Sequence, residues 1–118
     1  MTEGLRLDKE LQTVEDYIKW TFHPNPQERR KALKELCPCH VRADLDQVWE
    51  RILECTNDPD PLVRDQALHA LGDGSPNHLE MKIVEIVEEK YNDPDPKVKK
   101  KARRMLNSYR RTGKWNVL

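Results

Sequence analysis

The chain has 118 residues, with 21 Lys and Arg balanced by 21 Asp and Glu. Hydrophobic and charged residues each make up 36%, and the mean hydropathy is −0.93. This length bounds one domain, and no apolar run approaches the ~20 residues of a membrane span. The start, MTEGLRLDKELQ, has no apolar signal-peptide core, and three cysteines are an odd count for a secreted framework, so the expected setting is reducing and cytoplasmic.

From the N-terminus, a first helix is expected over about residues 5–22. Val14 and Tyr17 lie 35 residues before Trp49 and Ile52, which places this segment in register with later second-type helices. The period itself is carried by Pro24, Pro59 and Pro94, by Pro26, Pro61 and Pro96, by Ala32, Ala67 and Ala102, and by Leu36, Leu71 and Leu106, each set 35 residues apart. Such a period marks stacked supersecondary units. The sequence divides into a repeat over 24–56, a repeat over 59–91, a terminal half-repeat over 94–111 and a tail over 112–118. Asn25, Asp60 and Asp95 are N-caps followed by proline at the first helical position, and Glu28 is expected to close a capping box on Asn25.

After each cap, Val63, Ala67, Leu68 and Leu71, and later Val98, Ala102, Met105 and Leu106, share one helical face. Second helices follow over 44–56 (Leu45, Val48, Trp49, Ile52, Cys55) and 77–91 (Leu79, Ile83, Val84, Ile86, Val87). Gly72, Gly74 and Pro76 mark the turn in one unit, and Cys37-Pro38-Cys39 takes that place in the other. Leu33 and Leu68 become Arg103 in the last unit, as suits a capping element whose outer side meets water.

The run Asp58-Pro59-Asp60-Pro61-x-Val63-Arg64-x-x-Ala67-Leu68-x-x-Leu71 resembles the short bacterial HEAT repeat, of the type also seen in phycobilisome-lyase-like proteins. The likeness covers residues 24–106; in the first unit His23, Asn25 and Glu28 replace Asp58, Asp60 and Val63. It implies an all-α fold, a small HEAT-like α-solenoid of about six helices with a C-terminal tail. It also implies a non-catalytic protein–protein interaction or scaffold role, with a lyase-like or chaperone-like accessory subunit as an alternative.

No reactive constellation is visible. Cys37, Cys39 and His40 are too cramped for a zinc site, and an adjacent histidine gives a poor angle for activating a thiol. Neither a metal, a cofactor nor a Cys37–Cys39 disulfide is expected, and the chain reads as not an enzyme. Arg29, Arg64 and Lys99 form one repeat column, read as an interlocking ladder with aspartates such as Asp58 and Asp93.

Charge, though balanced overall, is unevenly spread. Residues 96–118 hold nine cations and no acid. Lys97, Lys100, Arg104 and Arg111 fall opposite the apolar face of the last helix, and with Trp115 they form the first candidate partner surface. The acidic second helices offer another: Glu50, Glu54, Met81 and Glu85, which the resemblance places on a concave side. The expected partner is another protein; nucleic acid binding through the basic last helix is the lesser alternative, because a neutral chain attracts phosphate weakly. Trp115 and Leu118 are expected to pack near Met105 and Tyr109, or else to act as a linear motif.

Overall fold

The computed structural model describes residues 14–36 and 45–113. Among them are six α-helices and no strand: α1 (Val14–Trp20), α2 (Pro26–Leu36), α3 (Asp46–Cys55), α4 (Pro61–Gly72), α5 (Glu80–Glu89) and α6 (Pro96–Thr112). One-turn 3₁₀ segments at Asn77–Leu79 and Lys90–Asn92 flank α5. The start of the first expected helix, the Cys37-Pro38-Cys39-His40 turn, and Trp115 and Leu118 lie outside the described residues.

Each first-type helix begins at proline because the residue before it satisfies the exposed amides. Asp60 accepts the Leu62 N–H at 2.8 Å, and Asp95 accepts those of Lys97 and Val98 at 3.0 and 3.1 Å. Asn25 does the same for Gln27 at 2.9 Å. The capping box expected at Glu28 does not form. The Asn25 N–H donates to His23 Nδ1 at 2.9 Å, while Glu28 accepts from Trp20 Nε1 and Lys31 Nζ, each at 3.1 Å. With an indole and an ammonium within reach, the carboxylate has better donors than an amide that His23 already satisfies. At the other end of the chain, Gly113 takes φ 73° and its N–H reaches Tyr109 O at 2.7 Å, which closes α6.

The helices stand in two layers. α2, α4 and α6 pack side by side in one; α1, α3 and α5 lie in the other, each packed most closely on the first-type helix that follows it. The core lies between the layers: Leu33, Leu36, Val48, Trp49, Ile52, Val63, Leu68, Leu71, Ile83, Val87, Val98, Met105 and Leu106 are buried. Ala32, Ala67 and Ala102 are all fully buried, and a methyl at this point lets neighbouring helices approach without overpacking. Tyr109 is half-buried beside this core and donates its hydroxyl hydrogen bond to Glu80 of α5.

The loops between layers are stacked and tied. Arg29 clamps Asp58 through Nε–Oδ2 and Nη2–Oδ1, both 2.9 Å, and its Nη1 donates to the carbonyls of His23 and Pro24 at 2.9 and 3.1 Å. The pattern repeats in the next unit. Arg64 clamps Asp93 through the same two atoms at 2.9 Å, and its Nη1 reaches the carbonyls of Asp58 and Pro59 at 2.8 and 3.1 Å. Each aspartate also accepts the N–H two residues on, from Asp60 and Asp95 respectively, at 2.9 Å. The Arg29 and Arg64 column is thus a structural ladder with rungs to Asp58 and Asp93. Two further ties join the same loops: Lys90 Nζ donates to Asn57 Oδ1 at 2.9 Å, and Arg51 donates to the hydroxyl and carbonyl of Thr21 while its guanidinium lies 3.6 Å over Phe22.

Candidate interaction surfaces

Two charged faces remain once the ladder has claimed its residues. On α6, the burial of Val98, Ala102, Met105 and Leu106 turns Lys97, Lys100, Arg104 and Arg111 outward, and all four are exposed. None forms an ion pair among the described residues. Their helix neighbours are engaged differently: Lys101 meets Asp65 at 3.3 Å, and Arg103 lies over the Tyr91 ring at 5.7 Å. Glu88 and Glu89, which could have neutralised the flanks, form no ion pair with these cations either. Trp115, the fifth member of the expected surface, is outside the described residues.

The other face belongs to α3 and α5. Glu50 and Glu54 lie one turn apart on α3, and Met81 and Glu85 one turn apart on α5; all four are exposed, Met81 at 67%. Glu54 pairs with Arg51 at 3.1 Å, leaving Glu50 and Glu85 without an ion pair among the described residues. Between α3 and the 3₁₀ segment Asn77–Leu79 that precedes α5 opens a depression of about 160 Å³, lined by Asp46, Trp49, Glu50, Leu53, His78 and Leu79. A larger hollow of about 470 Å³ lies where α4 and α6 begin, but its charges are mixed: Arg30 and Lys97 against Asp65 and Asp95. Asp95 is already a cap and Asp65 already faces Lys101, so that hollow has little left to offer a ligand.

The smaller depression was not foreseen, and the reason is instructive. A periodic reading looks for columns that recur every 35 residues. Leu53 and Leu79 belong to columns that do not: the residue after Leu53 in its column is Glu88, and the one before Leu79 is Asp44. The signal available in the sequence was the break itself, two leucines where the other unit carries acids.

Among the described residues no group of three or more His, Cys, Asp and Glu could hold a metal ion. Cys55 is 2% exposed, and burial pushes its thiol up to about 11. A thiolate is the nucleophile, so in a variant with Cys37 and Cys39 replaced by serine, Cys55 should react with a thiol reagent only after denaturant is added. Rapid labelling of the native protein would show that the site opens.

With this geometry in place, one comparison with known families bears on the fold type. The family model for the HEAT repeat matches residues 48–73. The match supports a HEAT-repeat protein, and the fold is an all-α, HEAT-like solenoid. The matched stretch runs from α3 through the Asp58-Pro59-Asp60-Pro61 loop into α4, a pair of helices that pack on each other. No curated protein and no solved structure matched the chain.

Proposed function

We propose that this HEAT-repeat chain is a non-catalytic protein-interaction module that works in the cytoplasm, and that the cationic stripe of α6 is its principal contact surface. HEAT repeats are generally protein-interaction scaffolds and typically non-catalytic. No helix among the described residues is long and apolar enough to cross a membrane. The observation that carries the choice of surface is the contrast along one helix. Lys101 meets Asp65 and Arg103 lies over the Tyr91 ring, whereas Lys97, Lys100, Arg104 and Arg111 stand exposed at helical spacing without an ion pair among the described residues. Like charges at this spacing cost a few tenths of a kcal/mol per pair, which an acidic partner surface would offset.

The test is replacement of Lys97, Lys100, Arg104 and Arg111 together by glutamine. Helix content and melting temperature should be unchanged or slightly raised. Capture of the native partner from a host lysate should fall sharply at low salt and converge with wild type at high salt. If nuclease treatment abolishes the captured material, the stripe serves nucleic acid instead; for four phosphate contacts the salt slope would then be about −3.6. Unchanged capture by a correctly folded variant would move the contact to Glu50, Glu54, Met81 and Glu85.

A further inference from the structure

The depression between α3 and the Asn77–Leu79 segment is a second and separate surface. We propose that it receives a single arginine side chain from a segment of a partner protein. Three observations point there. The first is size: about 160 Å³ falls below the ~300–1,000 Å³ of a small-molecule or cofactor site, yet holds one long side chain. The second is the layout of the walls. Trp49, Leu53 and Leu79 supply an apolar lining on which a (CH₂)₃ stem can lie, and the carboxylates of Asp46 and Glu50, one helical turn apart, stand at its rim. Arginine matches this layout because its stem is apolar and its head is a planar fork of donors suited to carboxylates.

The third observation is the unmet charge. Asp46 has an 82% exposed side chain and, among the described residues, its one ionic neighbour is His78 Nε2 at 3.8 Å; Glu50 has no ion pair among them. Elsewhere in the fold Asp58 and Asp93 are each clamped by a guanidinium. Arg51 shows the companion contact within the same fold, a guanidinium laid 3.6 Å over an aromatic ring. Among the described residues no guanidinium pairs with Asp46 or Glu50 at this rim.

The probe is a short blocked peptide carrying Leu-Arg-Leu between glycines, titrated into the full chain and followed by amide and indole NMR shifts. Its control is the same peptide with citrulline for arginine, which keeps the shape and removes the charge. The arginine peptide should shift the Trp49 indole N–H and the amides of Glu50, Leu53 and Leu79 saturably below about 5 mM, an affinity expected of a single anchor. The citrulline peptide should bind at least about tenfold more weakly, the loss of one charge-assisted contact. The Asp46→Asn, Glu50→Gln double variant should show the same loss with an unchanged melting temperature, since both side chains are exposed. Equal binding of the citrulline peptide, shifts mapping away from α3 and the Asn77–Leu79 segment, or no saturable shift would each overturn the proposal. The quadruple glutamine variant of α6 should bind the arginine peptide as wild type does, so the two surfaces stand or fall separately.

Discussion

Replacing Arg64 by alanine is expected to lower the melting temperature by about 10–30 °C. The side chains of the pair are 11% and 3% exposed. Removing one member of a buried, hydrogen-bonded ion pair costs about 3–5 kcal/mol because the other charge is left uncompensated, and a domain of this size loses about 3–6 °C per kcal/mol. Arg64→Ala also orphans the carbonyls of Asp58 and Pro59. Lys90, nearby and buried, recovers part of the field at Asp93 but none of the bidentate geometry. By contrast, the exposed pair Lys31–Glu28 should contribute well under 1 kcal/mol. A fall of less than about 3 °C for Arg64→Ala would show that the rung is ornamental.

The same rung gives the fold an acid limit. Burial alone would raise the Asp93 carboxyl; hydrogen bonds from Arg64 and the Asp95 N–H outweigh it and hold the group below its ordinary 3.8. A depressed carboxyl contributes stability that is fully present above its unfolded value and is lost as pH falls through the folded one. Wild type should therefore lose stability below about pH 4, and Asp93→Asn, already destabilised at neutral pH, should lose less there.

Leu68→Ala is expected to cost about 2–5 kcal/mol, since Leu68 is fully buried and its loss leaves a cavity between the helix layers. The column it belongs to makes the comparison internal. Its counterpart 35 residues on is Arg103, exposed and resting on Tyr91 at 5.7 Å, and Arg103→Ala should cost no more than about 1 kcal/mol. Denaturant midpoints for both variants at constant slope would measure the difference. Near-equal costs would mean that the last unit is not the outer layer of the stack.

Much of this fold could be read directly from residue spacing. The caps at Asp60 and Asp95, the prolines after them, the alanine column and the apolar faces are local, and each repeats, so one unit corroborates another. The Arg–Asp ladder was legible for the same reason: both members recur at the same interval. The Glu28 capping box failed because Trp20, which competes for that carboxylate, reaches it from α1, a contact that no local pattern encodes. Periodicity also leaves phase open. Residues 24–56 and 59–91 are valid repeats of one interval, yet α3 packs most closely on α4 and α5 on α6, because the loops that carry the rungs join those pairs. The depression beside Trp49 lay beyond a repeat-based reading altogether, since it depends on two residues that break the pattern.

The ladder has a consequence for how such a chain can grow. Within each interval one guanidinium is directed forward and one carboxylate is offered backward, with the donor 29 residues ahead of its acceptor. A tandem copy of residues 59–93 spliced in after Asp93 would bring its own Arg64 and its own Asp93, and every clamp would find a mate without any new mutation. Length is thus a heritable variable that duplication can change in whole steps, with each step arriving already interlocked.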